Sequence, residues 1–202
     1  MQLILGSQSP RRRELLERMG LSFRVLTAEI DETKYETEDP VDSVCRICRA
    51  KAEAVAAALA AEPPSAEERL VLTADTIVVL DGRIMGKPHD PAEARAMLTA
   101  LSGREHAVYT AFTLLPDSGA PLTRCEKTLV RFRPLSAAEI AAYVDTGEPM
   151  DKAGAYGIQN LGAMLVASIQ GDYFTVMGLP VCRLALALKG FGIDPLEKTM
   201  KE

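Results

Sequence analysis

The residues with the clearest chemical potential lie where the first predicted strand meets the first predicted helix. Leu3-Ile4-Leu5 is typical of a short buried strand, and Gly6-Ser7-Gln8-Ser9-Pro10 predicts a turn with Ser9 as a helix N-cap. Arg11-Arg12-Arg13 fills the first helical turn, where the positive end of the helix dipole disfavours cations. A bound anion would remove that conflict, because helix-start N–H groups, serine hydroxyls and guanidinium groups all donate hydrogen bonds. The sequence therefore predicts a phosphate or carboxylate site; the alternative is a solvated basic patch.

A second candidate is a carboxylate inside the most strand-like run of the chain. Residues 70–80 are apolar nearly throughout, as in a central strand covered on both faces, but Asp75 and Thr76 interrupt them. Asp is disfavoured in strands and is costly to bury without compensation. We therefore expect Asp75 either to be paired internally or to act in a cleft.

Two loops carry further polar side chains. Asp81-Gly82 predicts a tight hairpin, after which Gly86-Lys87-Pro88 would return a lysine towards the same strand. The glycines of residues 148–162 suggest a backbone that approaches another group closely. Lys152 and Gln159 are the most informative side chains there, although Gln159 could equally be a loop residue that bonds its own backbone.

Acidic side chains are concentrated between residues 29 and 38, and a solvated loop explains most of them. Asp31 and Glu32 lie nearest the end of a predicted strand and are best placed to face a site. The next helix is predicted to begin at Asp39-Pro40. Basic residues beside its apolar stripe, Lys51 among them, could flank a cleft, although such charges are usually solvated.

The four cysteines and two histidines give little support for zinc binding or redox chemistry. Cys45 and Cys48 form a C-x-x-C pair, but no second pair follows at zinc-finger spacing. Both lie on the apolar face of the predicted helix, so we expect buried core thiols.

The overall composition is that of an ordinary globular protein, with 48% hydrophobic and 25% charged residues. The net charge of −5 disfavours a general nucleic-acid binder, so a polyanionic substrate must meet a local concentration of basic residues. No apolar run reaches membrane-spanning length and no signal peptide is visible, which predicts a cytoplasmic protein without a membrane partner.

The elements that must position the candidates alternate between strands and helices, without an internal repeat or a long linker. This order predicts one α/β domain over residues 1–202. Helices are predicted to start near residues 10, 39, 90, 136 and 180. Strands are predicted over residues 3–5, 22–27, 70–80, 105–115, 121–132, 163–169 and 173–176.

The candidates combine an anion cradle, separated cations and two isolated carboxylates, which suits a triphosphate carrying Mg²⁺ or Mn²⁺. A metal-polarised water, deprotonated by a carboxylate, could attack phosphorus while Arg and Lys stabilise the developing charge. Neither a Walker A loop nor a dinucleotide-binding fingerprint is present. The candidates are Ser7, Ser9, Arg11, Arg12, Glu32, Lys51, Asp75, Thr76, Lys87, Lys152 and Gln159.

Several segments resemble the signature blocks of the Maf family of nucleoside triphosphate pyrophosphatases, in order and over nearly the whole chain. They are Leu5–Arg12, Ala74-Asp75-Thr76, Gly86-Lys87-Pro88, Ser102-Gly103 with His106, Glu148–Gln159, Gly171-Asp172-Tyr173 and Gly178-Leu179-Pro180. The resemblance implies an inosine triphosphatase-like α/β fold, with a mixed, elongated sheet, flanking helices and a cleft between two lobes. It also implies a divalent metal, release of pyrophosphate and a monophosphate, a cytoplasmic location and a historical link with septum formation. It is also compatible with a homodimer. The chain departs from the family pattern at Asn160, where glycine is usual, and at Gly6, where alanine is common.

The same resemblance implies roles for individual residues. Asp75 would be the proton acceptor and would share the metal with Glu32. The residues at positions associated with substrate choice are similar to those of the branch that prefers dTTP and UTP, with modified pyrimidine nucleotides as further substrates; they are Arg11, Thr76 and Gln159. The residues that would hold phosphates are Ser7, Ser9, Arg12, Lys51, Lys87 and Lys152.

Two alternatives stay open from the sequence. A nucleotide-sensing regulator of division would use the same cradle, with hydrolysis incidental. A serine hydrolase using Ser7 or Ser9 with His106 is disfavoured, because no G-x-S-x-G elbow occurs and a helix cap already explains a serine.

Overall fold

The computed structural model describes residues 1–32, 38–63 and 65–199, so the middle of the acidic stretch lies outside the described residues. The strands in these ranges are β1 (Gln2–Leu5), β2 (Phe23–Val25), β3 (Arg69–Leu80), β4 (Arg83–Met85), β5 (Glu105–Pro116), β6 (Leu122–Phe132) and β7 (Val166–Gln170). The helices are α1 (Pro10–Arg18), α2 (Pro40–Ala60), α3 (Pro91–Leu101), α4 (Ala137–Asp145), α5 (Tyr173–Met177), α6 (Val181–Lys189) and α7 (Pro195–Thr199). Three short 3₁₀ segments cover Glu148–Asp151, Ala153–Ala155 and Asn160–Leu165.

Within the described residues, seven strands form one mixed sheet in the order β2-β1-β3-β5-β6-β7, with β4 paired to β3. β1 runs parallel to both β2 and β3, whereas β4 is antiparallel to β3 and β7 is antiparallel to β6. The mixed α/β class predicted from the sequence is therefore confirmed. The Asp81-Gly82 hairpin is also confirmed, because both residues have positive φ and their turn joins β3 to β4.

The chain divides into two compact units. The first contains residues Met1–Asp75, Ala111–Cys125 and the chain from Gly178 onward; the second contains Thr76–Thr110 and Glu126–Met177. One core cluster of the first unit packs α2 on the sheet through Ile4, Ala52, Val55, Leu59 and Val71. The core of the second unit contains the buried side chains of α3 and α4 together with Phe132 and Tyr156.

Three predicted helix starts are confirmed by hydrogen bonds that the capping side chains accept from backbone N–H groups. Asp39 caps α2 by accepting the N–H of Val41 at 2.8 Å, and Asp90 caps α3 by accepting the N–H of Glu93 at 2.8 Å. Ser136 and Glu139 form the predicted capping box at the start of α4. The helix starts could be predicted from local sequence because each cap satisfies backbone donors within a few residues.

The predicted strand over residues 173–176 is wrong, because those residues form α5. Asp172 accounts for the difference: its carboxylate accepts the N–H groups of Phe174 and Thr175 and the Thr175 hydroxyl, which initiates a helical turn. The strand predicted over residues 163–169 begins later, at Val166, because residues 160–165 form a 3₁₀ segment.

The C-x-x-C thiols differ in burial. Cys48 is fully buried, as predicted, and its Sγ contacts the carbonyls of Thr73 and Ala111. Cys45 is only half-buried, so the prediction of two buried thiols is wrong for this residue. A hydrogen bond with the Cys125 thiol lowers the pKa of Cys45 to about 7.

At Gly6 the backbone passes too close to two side chains for a methyl group. A Cβ on Gly6 would lie 2.7 Å from Cγ2 of Thr73 and 3.1 Å from Cγ2 of Val55, both in the buried core. Gly6→Ala should therefore destabilise this chain by about 1–3 kcal/mol through overpacking, as measured by urea denaturation.

Thr73→Ser is the matched second change, since it removes Cγ2 and keeps the hydroxyl that donates to the Cys48 carbonyl at 2.7 Å. The double variant should recover most of the stability lost by Gly6→Ala alone. A Gly6→Ala protein as stable as the wild type would show that the close approach has no energetic consequence.

Candidate active site

Ser7 and Arg12 form a hydrogen-bonded pair at the start of α1. The buried Ser7 Oγ accepts from Nη1 of Arg12 at 3.0 Å and from the backbone N–H of Ser9 at 3.3 Å. Nε of Arg12 also donates to the carbonyl of Gly178 at 2.8 Å. Ser9 occupies the predicted N-cap position, but its side chain makes no capping hydrogen bond, so that part of the prediction is wrong. The Ser7 hydroxyl receives the Ser9 N–H instead.

The three arginines of α1 are not equivalent. Arg13 is exposed, whereas Arg11 and Arg12 are half-buried. Burial lowers the pKa of the Arg12 guanidinium, and the negative charge of Asp75 opposes that shift. The guanidinium nevertheless stays charged, because the ordinary pKa of arginine is far above physiological pH. Arg12 is thus a positioned cation that experiences the field of Asp75.

Lys51 lies between two carboxylates of the first unit. Its Nζ is 2.9 Å from Oδ1 of Asp75 and 2.9 Å from Oε1 of Glu32. The side chains of Lys51 and Asp75 are only 17% and 14% exposed, whereas that of Glu32 is 56% exposed. Burial lowers the pKa of Lys51, but the two carboxylates outweigh burial and raise it overall. Asp75 is therefore paired internally, one of the two outcomes expected from its place inside β3.

Glu32 and Asp75, the predicted metal carboxylates, share one cationic neighbour. Among the residues in the described ranges, no group of three or more His, Cys, Asp or Glu side chains could hold a metal ion. Mg²⁺ usually binds through one or two carboxylates together with substrate phosphate oxygens and water. Glu32 and Asp75 therefore fit a metal ion that binds together with a phosphate. Two carboxylates are too few for a site made only of protein ligands.

Thr76 begins the second unit, and its hydroxyl is oriented by a chain of threonines. Thr110 donates its single hydroxyl proton to the carbonyl of Thr175 at 2.7 Å. The 3.0 Å contact between the Thr76 and Thr110 hydroxyls must then use the proton of Thr76. Towards any other group, the Thr76 oxygen acts as a hydrogen-bond acceptor.

The glycines of residues 148–162 do permit close backbone approaches, as predicted. Gly154 has φ of +68° and leaves no room for a Cβ beside Val78. A Cβ on Gly157 would lie 2.7 Å from Cε of Lys152. That lysine runs along the glycine, and its Nζ donates to the Glu148 carbonyl and to Oδ1 of Asp151, both at 2.6 Å.

The loop of Lys87 is tied to the segment that follows Lys152. The Gly154 N–H donates to the Gly86 carbonyl at 3.0 Å, next to the exposed Lys87. Gln159 is half-buried on extended backbone in the second unit, and Asn160 after it has φ of +54°. Asn accommodates this left-handed conformation better than most residues other than glycine.

The structure brings the candidates together in small groups. In the first unit Ser7 contacts Arg12, and Lys51 contacts Glu32 and Asp75. In the second unit the loops of Lys87 and Lys152 are joined through backbone. Sequence reasoning missed Thr110, Tyr143 and Glu148, which act on the candidates Thr76, Lys152 and Gln159. For Thr110 and Tyr143 the only signal was a polar residue in an apolar strand or helix, and for Glu148 it was its place in a segment that resembles the family; neither signal identifies a partner.

His106 lacks the surroundings of a catalytic base. It is 3% exposed, its Nε2 lies 2.7 Å from the Tyr156 hydroxyl, and its ring packs edge-on against Phe132 and Tyr156. Burial lowers the pKa of His106 to about 4. The imidazole is therefore a neutral core group at physiological pH, which argues against the serine hydrolase alternative.

Comparison with known proteins identifies the class. Residues 2–191 match the family model described as Maf-like protein, and the chain belongs to the Maf family. None of the described helices is both long and apolar enough to cross a membrane.

Curated relatives align over nearly the whole chain. The chain is 50% identical over 194 residues to the dTTP/UTP pyrophosphatase of Moorella thermoacetica, covering 95% of this chain and 96% of the relative. It is 50% identical over 191 residues to the enzyme of the same name from Symbiobacterium thermophilum, covering 95% and 94%. A solved dITP/XTP pyrophosphatase structure from Mycobacterium abscessus aligns over 95% of both chains, with 13% identity and a TM-score of 0.43.

The burial of His106 has a consequence for stability. The pKa of His106 falls from 6.5 to about 4 on folding. At a pH between these two values, the unfolded chain therefore binds a proton at His106 more readily than the folded protein does. The free energy of unfolding should be largest above pH 6.5, the pKa of this histidine in the unfolded chain. As the pH falls towards 4, the pKa in the folded protein, the contribution of His106 should decrease by about 3 kcal/mol. Urea denaturation across that pH window measures the decrease.

His106→Gln removes the titrating group, so it should flatten this part of the pH dependence. His89→Gln, at the exposed second histidine, should leave it unchanged. If His106→Gln shows the full wild-type pH dependence, another group is responsible.

Proposed function

We propose that this protein hydrolyses dTTP and UTP, and related modified pyrimidine nucleotides, to the monophosphate and pyrophosphate. The observation that carries the proposal is the Asp75 carboxylate, held inside β3 beside Lys51 in the same unit as the Ser7–Arg12 pair. Relatives that are 45–50% identical over almost the whole chain and are named dTTP/UTP pyrophosphatase support it.

Asp75 is assigned as the base that removes a proton from the attacking water. A general base must lie within hydrogen-bond reach of the water that it deprotonates, and the 2.9 Å contact with Lys51 holds the Asp75 carboxylate in place. Arg12 stabilises the negative charge that develops on the phosphate oxygens, because its guanidinium is already fixed by Ser7 and Gly178. The proton leaves water for Oδ of Asp75, the water oxygen bonds to the α-phosphorus, and pyrophosphate departs.

The proposed phosphate contacts are cations and helix-start donors. Lys51 is already paired with two carboxylates, so it would contact a phosphate while neutralising them. Lys152 would do so beside Asp151. The full set is Ser7, Ser9, Arg12, Lys51, Lys87 and Lys152.

We further propose that Glu32 and Asp75 hold Mg²⁺ or Mn²⁺ together with phosphate oxygens of the substrate. When bound, such an ion supplies charge neutralisation and polarises water or a phosphoryl oxygen. The Lys51 ammonium, which contacts both carboxylates, would shift or share them as the ion binds.

Substrate choice is assigned to Arg11, Thr76 and Gln159. The Thr76 oxygen, whose proton is directed at Thr110, suits a donor such as the N3–H of uracil or thymine. The Gln159 amide can both donate to and accept from the same base edge. Cytosine carries an acceptor at N3 and would be rejected.

Other expectations remain predictions, some from the sequence pattern and some from the family resemblance. They are the single domain over residues 1–202, the cleft between lobes, the homodimer, the cytoplasmic location and the link with septum formation.

The nucleotide panel tests the function itself. Purified protein with Mg²⁺ or Mn²⁺ should release pyrophosphate fastest from dTTP and UTP among the common ribo- and deoxynucleoside triphosphates, and excess EDTA should stop the release. Asp75→Asn should lower turnover by about two to four orders of magnitude while nucleotide binding survives.

Asp42→Asn, at an exposed position on α2, is the matched control and should retain wild-type turnover. Pyrophosphate release from none of the nucleotides would overturn the proposed function. Wild-type turnover in Asp75→Asn would remove only the assignment of the base.

The orientation of the Thr76 hydroxyl gives a prediction about selectivity. Thr110→Val removes the oxygen that receives the Thr76 proton, so Thr76 could then donate to cytosine N3. The preference for UTP over CTP should decrease by about tenfold, measured as the ratio of kcat/KM values. Thr110→Ser keeps the hydroxyl and should keep the preference. An unchanged preference in Thr110→Val would contradict the assigned direction of this hydrogen bond.

A further inference from the structure

The segment from Gly157 to Gly162, which carries Gln159, is held at one end by a single carboxylate. Oε1 of Glu148 accepts from the Gly162 N–H at 3.0 Å, and Oε2 accepts from the Leu161 N–H at 3.2 Å. Neither hydrogen bond uses the Gln159 side chain. Glu148 therefore acts on the backbone that follows Gln159.

Tyr143 of α4 holds the other end of this segment. Its buried hydroxyl donates to Oε1 of Glu148 at 2.9 Å and accepts the Gly157 N–H at 3.3 Å. Burial raises the pKa of the phenol, and the nearby Glu148 raises it further, so the hydroxyl keeps its proton. Both ends of the segment are thus tied to one hydrogen-bonded pair.

Close packing leaves the segment little freedom to rearrange while that pair is intact. A Cβ on Gly162 would lie 2.0 Å from the Gly157 carbonyl oxygen and 2.7 Å from the Tyr143 hydroxyl. The Glu148 carbonyl also accepts from Nζ of Lys152 at 2.6 Å. One residue therefore holds both the Gln159 segment and a proposed phosphate-binding lysine.

We infer that Glu148, acting with Tyr143, is a positioning residue that fixes Gln159 for base discrimination. The inference rests on the proposed function, in which Gln159 reads the pyrimidine. Glu148 itself makes no contact with the substrate in this assignment. Its removal should therefore change the choice between nucleotides rather than only the overall rate.

The test compares UTP with CTP in two assays, equilibrium binding in EDTA and hydrolysis with metal. Glu148→Ala removes the acceptor of three hydrogen bonds and should lower the UTP:CTP preference by about tenfold in both assays. Glu148→Gln keeps one acceptor oxygen for Tyr143 and Gly162, so it should restore most of the preference. Tyr143→Phe frees only the Gly157 end and should cause a smaller loss.

Glu139→Ala is the matched control, because this α4 carboxylate also has three donors, two from Ser136 and one from Arg133. It should lower the unfolding temperature while leaving the UTP:CTP preference unchanged. The inference is overturned if Glu148→Ala and Glu139→Ala change the preference equally, or if Glu148→Ala weakens UTP and CTP by the same factor. Should Glu148→Ala fail to fold, an unchanged preference in Tyr143→Phe overturns it.

Failure of the proposed function has a different signature. A wild-type protein that binds UTP in preference to CTP without hydrolysing either would overturn the enzymatic proposal, and the binding ratios of the variants would still decide the role of Glu148. A wild-type protein that binds both equally would overturn the positioning role.

Discussion

The ion pair between Lys51 and Asp75 is the interaction on which the proposed chemistry depends. A carboxylate inside a central strand is costly unless a cation compensates it, and α2 supplies that cation at 2.9 Å. The same ammonium reaches Glu32 at 2.9 Å, so one lysine pairs with both carboxylates. The contact thereby holds the base in place before any substrate arrives, and general-base catalysis needs such a positioned group.

A second constraint is that the groups proposed to meet the nucleotide are oriented by neighbours rather than by the ligand. Arg12 is fixed through Ser7 and Gly178, Thr76 through Thr110, and the Gln159 backbone through Glu148. Donors and acceptors fixed in advance need little reorganisation when charge develops. One of these neighbours, the Gly178 carbonyl, is a main-chain group, so the orientation does not depend on side chains alone.

Local physical rules explain which features could be predicted from the sequence. Caps such as Asp39 and Ser136, and the turn at Asp81-Gly82, satisfy backbone groups within a few residues. The α5 error arose because the Asp172 cap competes with strand propensity over only one helical turn. The Thr110 and Glu148 contacts join residues distant in sequence, and for these no local pattern exists. The resemblance supplied the site residues, but not their pairing.

The central claim is that water, activated at Asp75, attacks the α-phosphorus. Hydrolysis of dTTP in ¹⁸O-labelled water, followed by mass spectrometry of both products, tests it most directly. The account predicts that the label enters the thymidine monophosphate and that pyrophosphate stays unlabelled. Label in pyrophosphate, or release of a diphosphate and inorganic phosphate, would contradict it.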